Sequence, residues 1–301
     1  MRSKSIFLIF TLAMLIGPTF LLYKLCLKEF SPLTIIFLRT AVGSLFLLPV
    51  FYFKKLSLPK EKSMWFHLFV MGILACALPF SLFSLGSVKL NTGISSIANA
   101  SVPIFTLLFN YLFLKNEPIS TSKVLGIFLG CVGVLSLFVP LITNNIVGDT
   151  LAMVGLVIGC ISYAAGYNYG KKYVKNINPI TCSFIQMIFS ACVMLPLIFI
   201  LENPLEQMNP SGNGKLLITL FALQTAVCFL LIYKVIELTG PTSLSMVYYL
   251  QPVIALMLGK LYLDEHITLI ALFGCGLIFL GLLYVNEVFT VPSLKKKEDE
   301  S

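Results

Sequence analysis

Charge is scarce in this chain. Asp, Glu, Lys and Arg together make up 11% of its 301 residues, less than half of the roughly 25% usual in soluble domains. A folded domain in water needs a charged surface, so an ordinary soluble globular protein is excluded. Tryptophan occurs once and histidine twice, which leaves little material for metal clusters or histidine-based catalysis. There is no glycine-rich Walker loop, which argues against an ATP-driven pump. No Ser-His-Asp arrangement, convergent acid–base pair or metal-ligand spacing is present, which argues against an enzyme. The eight cysteines, Cys26, Cys76, Cys131, Cys160, Cys182, Cys192, Cys228 and Cys275, form no C-x-x-C pair and nearly all sit within apolar runs. They read as buried free thiols rather than disulfides or metal ligands. No cofactor and no metal are expected.

What the chain has instead is apolar length. Hydrophobic residues make up 58% of it, and they fall into runs near the ~20 residues that a helix needs to cross the hydrocarbon core. The pattern predicts an all-α integral membrane protein of ten spans, near 5–24, 32–53, 65–86, 93–114, 123–142, 150–170, 181–201, 215–236, 243–263 and 268–289. The weakest break is at Asp264-Glu265-His266. Arg2 and Lys4 ahead of the first run resemble a signal peptide, but no small-residue cleavage site follows, so that run is read as a retained span. The connections are too short for a soluble domain.

The net charge of +8 raises the question of nucleic acid, but the charges lie in the connections, so the bilayer and not a nucleic acid is the expected partner. With a cytoplasmic N-terminus, the inner segments hold Arg2, Lys4, Lys54, Lys55, Lys60, Lys62, Lys115, Lys123, Lys171, Lys172, Lys175, Lys234, Lys295, Lys296 and Lys297. The outer ones hold only Lys24, Lys28, Lys89, Lys215 and Lys260. That bias places both termini in the cytoplasm. Residues 291–301 form a charged, solvated cytoplasmic tail.

The chain also resembles itself. PLTIIFLRTAVGSLFLLP at 32–49 parallels PITCSFIQMIFSACVMLP at 179–196 without a gap, an offset of 147. At an offset of 148, Glu117 matches Glu265, Gly126 matches Gly274 and Gly133 matches Gly281. Pro103 and Pro252 fall in equivalent spans. The expected units are two five-helix repeats, 1–147 and 148–290. Five is odd, so the second repeat enters the membrane upside down. Inverted repeats are a common construction of secondary transporters, with the substrate held near the midplane between the halves.

Polar residues inside spans are expensive, and so they are informative. Ser95 and Asn99 share a face of the fourth span, with Ser96 beside it; Tyr163, Tyr167 and Asn168 lie in the sixth. Gln224 is mid-span in the eighth, beside Thr225. Tyr248 and Gln251 lie in the ninth, in the region equivalent to Asn99. Arg39 is the only full charge well inside a span, and either structural pairing or a substrate carboxylate accounts for it. These ten residues, Thr225 apart, form the candidate substrate-binding set. Small polar and aromatic groups suit a zwitterionic or heterocyclic ligand, although interhelical hydrogen bonding or an interfacial tyrosine belt is the structural alternative. Pro18, Pro79, Pro103 and Pro252 lie within spans, where proline removes a helical hydrogen bond and kinks or flexes the chain. No Asp or Glu lies mid-span, which weighs against proton-for-cation exchange on a buried carboxylate. His67, near the start of the third span, reads as interfacial.

The stretch QPVIALMLGKLYLDEHIT at 251–268 and its weaker copy VPIFTLLFNYLFLKNEPIS at 102–120 resemble the drug/metabolite transporter superfamily, and within it the EamA-type proteins of ten spans. The glycine-rich helices GIFLGCVGVL and GCGLIFLGLL that follow, and the position of Arg39, are similar to the family too, over roughly residues 5–288. Lys115-Asn116 departs from it, since the family often has Leu-Gly there. The resemblance implies a bacterial inner-membrane carrier moving a small metabolite by alternating access. An amino acid or related compound is the first expectation, and S-adenosylmethionine or another nucleoside-bearing metabolite the alternative. A coupled proton or counter-substrate is left open, and a channel is the rival of another class.

Overall fold

In lipid the backbone has no water to bond to, so an apolar chain of this kind must satisfy itself as helix. A computed structural model describes residues 2–114, 120–139, 147–174, 177–204, 210–239, 247–266, 268–285 and 288–289. It is all-α, with no strand among the described residues. Glu117 and the charged tail at 291–301 lie outside the described residues.

The first half runs α1 (Arg2–Ile16), α2 (Thr19–Cys26), α3 (Pro32–Phe53) and α4 (Lys62–Gly72). A π-helical turn, Ile73–Ala77, leads into α5 (Leu78–Lys89). Then come α6 (Thr92–Asn99), α7 (Val102–Phe109), a second π-helical turn at Asn110–Leu114, and α8 (Thr121–Ser136). The second half is simpler: α9 (Val147–Tyr173), α10 (Pro179–Leu201), α11 (Gly212–Thr239), α12 (Val247–Leu263) and α13 (Leu269–Val285). Six segments are long and apolar enough to cross a membrane, namely Pro32–Phe53, Lys62–Lys89, Thr92–Leu112, Asp149–Tyr173, Pro179–Leu201 and Gly212–Ile232. Shorter apolar helices occupy Phe10–Cys26, Thr121–Ser136, Leu250–Leu263 and Leu269–Gly281. All ten fall on the spans expected from hydropathy. The narrow break between the last two is made by Asp264, whose positive φ of 51° turns the chain out of α12.

Local chemistry repeats between the halves. Both α3 and α10 open on a proline at the first helical position, Pro32 and Pro179, where no N–H is needed. Asn178 adds a cap by accepting from the Ile180 N–H at 2.9 Å.

Packing follows the same inversion. Equivalent helices meet across the halves in three pairs, α3 with α10, α6 with α12 and α8 with α13. The contact of α9 with α5 is mirrored by α1 with α11, and that of α11 with α3 by α10 with α4. The α8–α13 seam shows the symmetry at atomic scale. A Cβ on Gly133 would lie 2.8 Å from the Gly274 carbonyl, and one on Gly281 2.6 Å from that of Gly126. Gly126 and Gly274 are equivalent, as are Gly133 and Gly281, so the contact is self-complementary, as at a two-fold interface. Only glycine admits backbones this close.

Aromatic and aliphatic side chains such as Phe20, Tyr23, Ile35, Ile36 and Phe221 are buried between helices, while Phe10, Leu45, Phe128, Leu201 and Phe273 point outward. An apolar exterior of this extent suits lipid and not water. All eight cysteines are free thiols; six are buried and Cys192 is exposed on the apolar exterior.

Candidate functional site

The site is built where the helices are interrupted. Gly17–Pro18 parts α1 from α2, and this end of α1 leaves carbonyls without helical partners. Gln224 of α11 answers one of them, its Nε2 donating to the Leu15 carbonyl at 2.5 Å and to Thr19 Oγ1 at 3.0 Å. Pro79 follows the π-helical turn at Ile73–Ala77, and Pro103 follows the irregular Ala100–Ser101 step. Pro252, by contrast, lies inside an uninterrupted α12.

Between these elements is a cavity of about 50 Å³, several times the roughly 10–15 Å³ that one water occupies. Arg39 and Asn99 line it from the first half; Tyr163, Gln224, Thr225 and Gln251 line it from the second. Phe20, Phe80, Phe83 and Phe229 supply an aromatic wall.

Arg39 is 5% exposed. Its guanidinium lies 4.1 Å from the Phe80 ring centroid and 4.2 Å from that of Phe221. Its Nε donates to Thr225 Oγ1 and its Nη1 to the Tyr23 hydroxyl at 2.6 Å. Both acceptors are themselves oriented: Thr225 donates to the Phe221 carbonyl at 2.8 Å, and Tyr23 to that of Phe80 at 3.4 Å. Every one of these partners is neutral. Rings and hydroxyls stabilise the charge without cancelling it. Opposite, Asn99 Nδ2 donates to Gln251 Oε1 at 3.1 Å. Gln251 is fully buried and its Nε2 has no partner, nor has Gln224 Oε1.

Of the sequence candidates, the fold thus gathers Arg39, Asn99, Tyr163, Gln224 and Gln251 at one cavity. Tyr167 packs against Tyr163 with ring centroids 4.7 Å apart. Asn168 does different work: its Nδ2 donates to the Thr106 carbonyl at 3.1 Å and to Ala164 at 3.0 Å, tying α9 to α7. Ser96 bonds the Gly93 carbonyl at 2.8 Å, and Ser95 is buried within α6. Tyr248 belongs to α12, and its side chain lies outside the described residues. Sequence reasoning passed over Tyr23, Phe80 and Phe221. Nothing marks three aromatics among 25 phenylalanines and 12 tyrosines as the cage of one arginine.

One end of the bundle is clasped across the halves by glutamates. Glu202, after α10, accepts from the Leu33 and Thr34 N–H groups at 2.8 and 2.9 Å and from Thr34 Oγ1 at 2.9 Å. Glu265, before α13, accepts from the Thr92 and Gly93 N–H groups at 2.9 and 3.4 Å. Glu29, after α2, accepts from the Ser211 N–H at 2.6 Å and from its hydroxyl. Each carboxylate caps a helix start in the other half, where free N–H groups and the helix dipole favour an anion. At the opposite end, His67 Nδ1 and the Tyr169 hydroxyl are 2.7 Å apart, and the imidazole stacks on Tyr173.

The family model described as EamA-like transporter family matches this chain twice, at residues 3–139 and 150–287. An uncharacterized transporter of Archaeoglobus fulgidus is 29% identical over 275 residues, covering 89% of this chain and 94% of the relative. The uncharacterized transporter YoaV of Bacillus subtilis is 26% identical, over 94% of this chain and 96% of its own. The uncharacterized inner membrane transporter YedA of Escherichia coli is 24% identical, over 92% and 89%. A solved crystal structure of a protein superposes with a TM-score of 0.67 over 96% of this chain and 99% of that one, at 13% identity, a likeness of fold alone.

Proposed function

The chain belongs to the EamA-like transporter family and is a multi-pass membrane transporter; on that premise we propose that it moves a small metabolite of the amino-acid type by alternating access. The observation that carries this reading is the central cavity, whose polar lining comes from both inverted halves: Arg39 and Asn99 from one, Gln224, Thr225 and Gln251 from the other. A site shared between two halves changes its access when they rock, which is how inverted-repeat carriers work. The glutamate clasps at one end support a state closed on that side. The lysine distribution supports an orientation with that end outside and both termini in the cytoplasm. An inner-membrane location is supported by the name of the Escherichia coli relative.

The test is flux. Purified protein in proteoliposomes is offered the twenty amino acids and, as the alternative class, S-adenosylmethionine. A carrier gives saturable uptake and counterflow by unlabelled substrate inside. Uptake that rises linearly with concentration and shows no counterflow would identify a channel and overturn the proposal. Saturable flux of S-adenosylmethionine without any amino acid would move the substrate to the nucleoside-bearing class.

A further inference from the structure

Arg39 has a property that a merely structural arginine lacks: it is buried, it lines the cavity, and among the described residues no carboxylate pairs with it. An isolated ion out of water is strongly unfavourable unless it is paired. Two of its five N–H donors are engaged, by Thr225 and Tyr23. Those two bonds and the sandwich between Phe80 and Phe221 fix the plane of the guanidinium, which is the orientation that matters for a planar, two-oxygen anion. A second donor without a partner is Nε2 of Gln251, a fully buried residue of the other half that lines the same cavity. Gln224, another lining residue, has an Oε1 acceptor without a partner among the described residues.

From this pattern we infer that the cavity is a carboxylate site: the substrate's carboxylate seats on Arg39 and the Gln251 amide, while a donor elsewhere on the substrate, an ammonium or hydroxyl, meets Gln224. The inference rests on the transport reading and sharpens it to a substrate class. A seated carboxylate pairs the buried guanidinium, which is otherwise without a counter-charge, so carboxylic acids are selected, and their amides and amines are refused. Planar two-oxygen geometry also separates arginine from lysine at this position. A lysine keeps the charge but offers a point, not a fork.

The experiment compares each amino acid, and the matching 2-hydroxy acid, with its carboxamide. Two readouts are used: thermal stabilisation of the detergent-purified protein, and inhibition of uptake in proteoliposomes. Wild type is expected to favour the acid over the amide by about 10- to 100-fold in apparent affinity, the range of one or two charge-assisted hydrogen bonds. Arg39→Gln should erase that preference, Arg39→Lys should restore it only in part, and Gln251→Leu should weaken acid binding and also lower the unfolding temperature of the ligand-free protein, because it strands the buried Asn99 Nδ2 donor. Arg39→Gln is scored only on protein that elutes as a single monodisperse peak. If it fails to fold, the acid-to-amide comparison in wild type decides alone. Amides that bind as tightly as acids, or a folded Arg39→Gln that keeps the preference, overturn the inference. Failure of the transport reading looks different: no amino acid shows saturable flux, yet simple carboxylates such as acetate or lactate still stabilise wild type and not Arg39→Gln. Absence of both flux and carboxylate stabilisation sinks the two together.

Discussion

The two halves share a topology and differ in texture. In the first half, three of the five spans are interrupted, at Gly17–Pro18, at Ile73–Ala77 and at Ala100–Ser101. In the second, α9, α10 and α11 run unbroken for 27, 23 and 28 residues. Pro103 and Pro252 occupy equivalent spans, yet only the first coincides with a break. The charge is unequal as well: Arg39 aligns with Gln186 at the repeat offset. One half is therefore interrupted and carries the buried cation; the other has the longer unbroken helices and supplies amides and a hydroxyl to the shared cavity. Inverted topology can make two opposite-facing states accessible. Inequality of the halves means that their helix breaks and their buried charge are not shared evenly.

The comparison can be broken most severely by moving the charge. The exchange Arg39→Gln with Gln186→Arg keeps composition constant but buries a cation at a fully buried position without the Tyr23–Phe80–Phe221 cage. A loss of about 3–5 kcal/mol is expected, the scale of an uncompensated buried charge. It would be read as a lowered unfolding temperature and aggregated protein on gel filtration; a double variant as stable as wild type would show that the cage is not needed. The prolines sharpen the contrast next. Pro252→Ala restores a hydrogen bond within α12 and should stabilise the protein, by up to about 3 kcal/mol. Pro103→Ala, at the start of α7 where no N–H is required, should leave stability nearly unchanged and instead slow transport as the joint stiffens. Equal effects of the two on unfolding temperature would remove the distinction between a broken and an unbroken span.

The α8–α13 seam is where the halves are most alike, and it should respond alike from either side. Gly133→Ala and Gly281→Ala each drive a methyl group onto a backbone carbonyl, and each should cost about 1–3 kcal/mol, checked by thermal unfolding in one detergent. A difference between them larger than their errors would deny the seam its two-fold character. The smallest effect is reserved for the clasps. Glu202→Gln and Glu265→Gln retain an acceptor but lose the charge, and should each weaken the capped helix start by about 1 kcal/mol or less. Cysteine accessibility at that end, probed with a membrane-impermeant maleimide on an introduced thiol, should rise as the clasp loosens.

Much of this architecture is legible in the residues one after another. Apolar runs near the length of a membrane crossing fix where helices can be, because lipid leaves no other way to bond the backbone. Asp264-Glu265 marks the narrow turn because charge does not enter the hydrocarbon core. Glycines that recur at an offset of 148 announce a seam that uses them twice. Reading at this level falters where a residue's partner is distant. Asn168 shares its polarity with the cavity residues, and only packing shows that it is spent on the Thr106 carbonyl of a neighbouring helix. Pro103 and Pro252 are indistinguishable in the chain, since a proline specifies a missing donor but not whether neighbours let the helix continue.

The division has a physical basis. By itself the sequence determined that the chain spans a membrane, how many times, and that its halves repeat upside down, because burial in lipid acts on each segment separately. Only the tertiary structure decided what surrounds Arg39. Its charge is held by Tyr23 of α2, Phe80 of α5, and Phe221 and Thr225 of α11, groups up to 186 residues away along the chain. The interaction of a buried ion with its surroundings depends on distances of a few ångströms, which exist only once the helices have packed.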